Sequence, residues 1–156
     1  MAIFNLFNRK RKGVPKDYKN RQSQLAEEMA ELFNGTYDGK LDFSTSSLAI
    51  LDEILDICSN NQDDIEVFEK RKIVEQSGAY LFEVIRRNFG GTYHWSDVLS
   101  QPILVTDKTS AKVSLLAYKK VEDRIEKGIH ESILFYFKGY LERLNTVKRG
   151  DKILIT

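Results

Sequence analysis

The stretch that decides the fold reads Ile73-Val-Glu-Gln-Ser-Gly-Ala-Tyr-Leu-Phe-Glu-Val-Ile-Arg-Arg-Asn-Phe-Gly-Gly-Thr-Tyr-His-Trp95. Apolar residues recur in it at helical spacing, which predicts a long helix over about residues 64–89. Gly90 and Gly91 then end that helix, because glycine tolerates the backbone conformation found just past a helix C-terminus. Residues 92–95 are rich in β-prone side chains and predict a short strand. All of these features concern packing, and none of them identifies a reaction.

Gly78 lies in the middle of this predicted helix. An interior glycine costs a helix about 1 kcal/mol relative to alanine. Such a residue is tolerated where a neighbouring element packs closely against the helix. We therefore expect another helix or a strand to cross at Gly78.

Elements on either side complete the predicted fold. Amphipathic patterns predict four more helices, over residues 16–33, 48–59, 119–127 and 129–144. Short apolar runs predict further strands, over residues 102–106, 112–118 and, at the tail, 151–156. The turn-forming run 107–110 separates the first two, so we expect a hairpin. The sequence thus predicts one α+β domain over residues 15–156, with several helices packed on one face of a small antiparallel sheet.

The charge of the chain is unevenly distributed. Seven Lys or Arg and one Asp fall within residues 1–21, a net charge of +6, and the remaining residues sum to −5 because the whole chain carries +1. We read residues 1–14 as a basic flexible arm on a mildly acidic body. A dedicated nucleic-acid-binding fold usually carries its basic face on the body, so nucleic acid is not the favoured partner.

The arm also contains apolar residues ahead of its basic cluster. Such a segment could touch an anionic membrane surface, pack on the body or remain in solvent, and these alternatives stay open. The candidates for membrane or anion contact are Phe4, Phe7, Arg9, Lys10, Arg11 and Lys12.

Composition indicates a soluble globular protein in the cytoplasm. The chain has 156 residues, 42% hydrophobic and 30% charged, which is typical of one globular domain. The single cysteine excludes an intramolecular disulfide and fits a reducing compartment. No run approaches the roughly 18 apolar residues of a membrane-spanning helix. The charged cluster follows the apolar N-terminal residues, whereas in a secretory signal the charges come first.

Short catalytic motifs are absent from the sequence. It contains no phosphate-binding Gly-x-x-x-x-Gly-Lys loop, no Gly-x-Gly-x-x-Gly, no Gly-x-Ser-x-Gly and no His-Glu-x-x-His. Cys58 falls on the apolar side of its predicted helix, as a structural thiol does. A zinc site would need Cys58, His94 and His130 to converge without any local ligand pair, so we predict no metal site and no cofactor.

The carboxylates carry no catalytic signature either. Asp52 and Asp56 are expected on the solvated side of their helix. Glu83 is expected to form an ordinary surface pair with Arg86 or Arg87, three and four residues further along the helix. General acid–base residues need burial or mutual proximity to shift their pKa values, and the pattern indicates neither. No catalytic residue is therefore predicted.

The segment 77–95, followed by the hairpin 102–118 and a helix, resembles small bacterial domains of unknown function. In those domains a helix with a Gly-x-Tyr-x-x-Glu core leads through Gly-Gly to a strand containing Trp. The resemblance covers about residues 65–145. Some members occur near genes for secreted toxins and immunity proteins, which implies a partner-binding role. No catalytic residue is defined in that group, so none is carried over.

The function predicted from the sequence is non-enzymatic protein binding, with an immunity or antitoxin-like inhibitor as its most concrete form. Tyr and Trp are favoured at interface hot spots, and the predicted contacts are Tyr93, His94, Trp95 and Tyr136. The acidic body favours a basic partner, because opposite charges accelerate association.

Two alternatives remain beside protein binding. One is an enzyme whose site is assembled from dispersed residues, with Glu75, Glu83, His94 and Asp97 as candidates. The other is association with a membrane surface or nucleic acid through the N-terminal arm.

Overall fold

The computed structural model describes residues 17–156. The predicted arm over residues 1–14 lies outside the described residues. So do its candidate contacts Phe4, Phe7, Arg9, Lys10, Arg11 and Lys12. Within the described part, no helix combines the length and apolar character needed to cross a membrane.

The described residues form five α-helices and four strands. The helices are α1 (Tyr18–Asn34), α2 (Leu48–Asn60), α3 (Val67–Phe89), α4 (Ala117–Lys127) and α5 (Ile133–Thr146). The strands are β1 (Thr92–Ser96), β2 (Gln101–Lys108), β3 (Ala111–Leu115) and β4 (Lys152–Ile155). The predicted α+β class is confirmed.

The four strands form one mixed sheet in the order β1-β2-β3-β4. The pairs β1/β2 and β2/β3 are antiparallel, as predicted, with Leu104 of β2 opposite Leu115 of β3. The tail forms the predicted edge strand, but β4 runs parallel to β3, with Val113 opposite Ile153. The sheet is therefore not purely antiparallel. Helices α4 and α5 connect β3 to β4 and supply the crossover that parallel strands require.

The predicted strand over residues 112–118 ends earlier, at Leu115, and α4 begins at Ala117. A specific hydrogen bond accompanies this boundary. The Leu116 N–H donates to the hydroxyl oxygen of Tyr136 on α5 at 2.9 Å. The chain thereby leaves the sheet with its buried donor satisfied, and Tyr118 becomes a helix residue.

Helix α3 is the centre of the molecule. All residues from 76 to 85 are buried, because α1 and α4 pack against this helix and the sheet lies close to it. The expected crossing at Gly78 is confirmed. A Cβ atom there would lie 2.9 Å from Cε1 and 3.2 Å from Cα of Tyr118, at the start of α4. The missing side chain lets α4 approach α3 closely.

A second, smaller apolar cluster lies on the opposite face of the sheet. It consists of Ile103, Val105 and Leu116, with Leu154 packed against them. Ile103 and Val105 alternate along β2 with Leu104, which belongs to the main core.

Candidate functional site: a groove around Glu75

An open groove runs along one side of the molecule, between α1, α3, α4 and the loop that joins β1 to β2. It consists of two adjoining sections that share Glu75, Ser100 and Tyr118, and we call it the Glu75 groove. The aromatic section has a volume of about 480 Å³. The charged section has a volume of about 700 Å³.

The rim of the aromatic section is formed by Trp95 and Tyr18. Trp95 is 46% exposed, and the ring of Tyr18 meets it edge-on, with the centroids 6.4 Å apart. Pro102 lies opposite Trp95 in the ladder between β1 and β2 and also lines the section. A large, amphipathic aromatic side chain is thus held at the surface by a rigid strand and a neighbouring ring.

The floor of the aromatic section contains Tyr118 and Gln22. Gln22 Nε2 donates to the Tyr118 hydroxyl oxygen at 2.9 Å, and that hydroxyl donates to Gln22 Oε1 at 3.0 Å. Burial raises the pKa of Tyr118 to about 12, and the nearby Glu75 carboxylate adds to the rise against the opposing hydrogen bond with Gln22. Tyr118 is therefore a neutral, fixed surface at physiological pH. From the sequence, only Gly78 signalled a close approach here, and nothing identified Tyr118 as its partner.

The charged section combines ion pairs with exposed apolar side chains. Lys70 Nζ lies 3.1 Å from Glu126 Oε1, which ties α3 to α4. Val67 is 81% exposed, and Leu99 on the β1–β2 loop is also exposed. This section therefore presents apolar contact area beside the ion pair of Lys70 and Glu126.

Glu75 differs from Lys70 and Glu126, which pair with each other. It is half-buried on α3 at the boundary between the two sections. Within residues 17–156, no group forms a hydrogen bond or ion pair with its carboxylate. Partial burial of a carboxylate without a partner is unfavourable, so Glu75 is available to pair with a group that enters the groove.

Glu83, two turns further along α3, has the opposite environment. Its side chain is fully buried and accepts hydrogen bonds from Arg86 at 2.7 and 2.8 Å, Arg87 at 3.0 Å and the Tyr93 hydroxyl at 2.7 Å. Burial by itself would raise the pKa of Glu83, but these donors outweigh it and hold that pKa below its ordinary value. The predicted pairing of Glu83 with Arg86 and Arg87 is present, but its expected surface location is wrong, because β1 covers the carboxylate.

A second buried charge cluster joins α2, α4 and the start of α5. Arg124 is fully buried and donates to Asp52 at 3.0 Å and to Asp56 at 2.8 Å. Asp52 also accepts the Ile133 N–H at 2.8 Å. The expectation that Asp52 is solvated is thus wrong, since it pairs with a residue far along the sequence. Neither Glu83 nor Arg124 lines the Glu75 groove.

The four predicted partner contacts are separated by the structure. Trp95 is on the groove rim, and His94 is half-buried on the same strand. Tyr93 is buried against Glu83. Tyr136 is buried, and its hydroxyl donates to the Ile155 carbonyl at 3.0 Å. Tyr93 and Tyr136 are thus buried core residues, below the surface that a partner can reach.

The candidates for an assembled enzyme site are not brought together in the groove. Of Glu75, Glu83, His94 and Asp97, only Glu75 lines it. Burial raises the pKa of the Cys58 thiol, which lowers its nucleophilicity at neutral pH. Among residues 17–156, no three His, Cys, Asp or Glu side chains are grouped so that they could hold a metal ion.

Comparisons with protein families, characterised proteins and solved structures found no match to this chain, so its function is inferred from the chemistry of the groove itself.

Proposed function

We propose that this protein acts by binding a partner protein through the Glu75 groove. The observation that carries the proposal is the exposed rim of the groove, where Trp95, Val67 and Leu99 present apolar surface above a fixed aromatic floor. Trp and Tyr side chains that combine apolar area with a polar tip are enriched at interface hot spots. Trp95 on β1, Val67 on α3 and Tyr118 on α4 give the surface a rigid support, and Leu99 adds contact area from the β1–β2 loop.

The distribution of charge supports contact in preference to catalysis. Catalytic acids and bases combine a perturbed pKa with access to a substrate. Here the buried charges Glu83 and Arg124 form ion pairs with their own neighbours, away from the groove, and of their polar side-chain atoms only Nη1 of Arg124 lacks a hydrogen-bond partner within residues 17–156. Their hydrogen bonds join separate elements of the fold, which is a structural role.

In its most concrete form, the partner is a toxin that this protein inhibits in the cytoplasm, as the resemblance to toxin-associated domains implies. Occupying such a partner's functional surface would be sufficient for inhibition. Residues outside the first 21 sum to −5, which favours association with a basic partner. The association rate should then fall as salt is added.

Partner capture by full-length variants tests the proposal. The wild type, a Trp95→Ser/Leu99→Ser double variant and a Phe135→Ser control are each immobilised and exposed to lysate of the native host. Phe135 is 75% exposed on α5 and does not line the groove, so its substitution removes a comparable apolar surface elsewhere.

We expect the wild type and the control to retain one stoichiometric partner that the double variant loses at least ~10-fold, because hot-spot truncation costs about 2 kcal/mol or more. Circular dichroism checks that all three variants are folded. If the double variant retained the partner and the control lost it, binding would lie on another surface. That result would refute the proposal that the groove is the interface.

A further inference from the structure

We infer that the aromatic section of the Glu75 groove receives a cationic side chain, lysine or arginine, from the bound partner, with Glu75 as its counter-ion. This inference rests on the proposed protein-binding function and specifies the chemistry of the partner. The position of Glu75 on a helix does not by itself indicate this role.

The carboxylate of Glu75 favours a cationic occupant. Glu75 is half-buried and has no hydrogen-bond or ion-pair partner within residues 17–156. Elsewhere in the groove, Lys70 pairs with Glu126, and Lys119 pairs with Asp123 at 2.6 Å. Further desolvation of Glu75 by a neutral partner would be unfavourable, whereas an incoming cation would offset that cost.

The aromatic side chains of the section also favour a cation. Tyr18, Trp95 and Tyr118 line the section that contains Glu75. Burial is the main cause of the raised pKa values of both tyrosines, and the Glu75 carboxylate raises each of them further. Ring faces carry partial negative charge and attract ammonium and guanidinium groups. The carboxylate and the aromatic rings therefore both favour a cationic ligand and disfavour an anion.

The charge and size of the section fit one cationic side chain. Its charged lining residues are Asp17, Glu75 and Arg21, two carboxylates against one cation. Arg21 is an exposed residue and forms no ion pair with either carboxylate. A volume of about 480 Å³ leaves room for one long side chain beside it.

The chain provides its own reporter for the test. Trp95 is the only tryptophan and lies on the rim of the section, so its fluorescence should respond to an occupant. The probe is N-acetyl-lysine N-methylamide, and N-acetyl-norleucine N-methylamide is the matched neutral compound. Both are titrated against full-length wild type, Glu75→Gln and the control Glu142→Gln, whose carboxylate is exposed on α5 outside the groove.

We expect the lysine amide to bind the wild type at least ~10-fold more tightly than the norleucine amide, since hydrogen bonds to charged groups are stronger than those between neutral groups. Glu75→Gln should abolish that preference, and Glu142→Gln should preserve it. Equal binding of the two amides, or an undiminished preference in Glu75→Gln, would overturn the cationic assignment.

Partner capture separates this inference from the function on which it rests. Loss of the partner in both Glu75→Gln and Trp95→Ser/Leu99→Ser supports both claims. Loss in the double variant alone refutes the cationic site and leaves protein binding through the groove intact. Retention in the double variant refutes the groove as the interface, whatever the amides do.

Discussion

Glu75 and Glu83 lie about two turns apart on helix α3, and they have opposite environments. Glu83 is fully buried and accepts four hydrogen bonds from Arg86, Arg87 and Tyr93. Glu75 is half-buried in an open groove and, within the described residues, has no such partner. The same side chain on the same helix thus stabilises the fold at one position and remains available for contact at the other.

The difference arises from what covers each part of the helix. Strand β1 places the Tyr93 hydroxyl on Glu83, and Arg87 reaches across to Glu27 on α1 at 2.8 Å. Near Glu75, the first residues of α1 and the β1–β2 loop stand apart and leave the groove open. Burying a carboxylate without a partner is unfavourable. It therefore either receives hydrogen bonds from its own protein, as Glu83 does, or stays accessible to solvent, as Glu75 does.

The largest expected effect comes from removing the charge at Glu83. We expect Glu83→Gln to lower the free energy of unfolding by about 3 kcal/mol, because breaking a buried ion pair leaves its partners uncompensated. Partial exposure of Arg86 and Arg87 keeps the loss at the lower end of the usual range. Urea unfolding measures the change.

Glu75→Gln is the matched comparison. We expect it to change the free energy of unfolding by less than about 0.5 kcal/mol, because most surface substitutions have effects of this size. A similar loss in both variants would show that the two glutamates play equivalent structural roles.

A smaller effect is expected at Gly78, which lies between the two glutamates. Gly78→Ala gains about 1 kcal/mol in helix propensity but forces a methyl group against Tyr118. Overpacking typically costs about 1–3 kcal/mol, so we expect a net loss of about 1 kcal/mol. Because the added methyl group should displace Tyr118, we also expect weaker binding of the lysine amide, although Glu75 is unchanged.

The control for Gly78 is Gly139→Ala in α5, where a Cβ would meet nothing within 4 Å. This variant should gain up to about 1 kcal/mol. Thermal unfolding measures both substitutions, and a gain at Gly78 equal to that at Gly139 would contradict the close approach of α4.

The smallest expected effect is the pH dependence of the stability that Glu83 contributes. The donors around Glu83 hold its pKa below the ordinary value of about 4.3, so its contribution is complete above that value and is lost as pH falls through the folded-state pKa. The stability difference between wild type and Glu83→Gln should therefore be constant from pH 5 to 7 and shrink below pH 4. Urea unfolding across this range checks the sign, and a difference that grows in acid would refute it.

The sequence predicted the elements better than their environments. Helix and strand positions followed from apolar spacing and glycine stops, and Gly78 correctly indicated a crossing. The parallel pairing of β4 was missed, because strand direction depends on how α4 and α5 return the chain. Asp52 was misplaced because its partner, Arg124, is 72 residues away. Trp95 was singled out from its type alone, and its place beside Tyr18 and Tyr118 could not be foreseen.

By itself, the sequence determined an α+β scaffold without any short catalytic motif, because hydrophobic periodicity and glycine placement act locally along the chain. Only the tertiary structure decided which charges are satisfied and which are available. Hydrogen-bond partners and solvent access depend on residues brought together from distant positions, and this is why Glu83 became part of the core while Glu75 remained in an open groove.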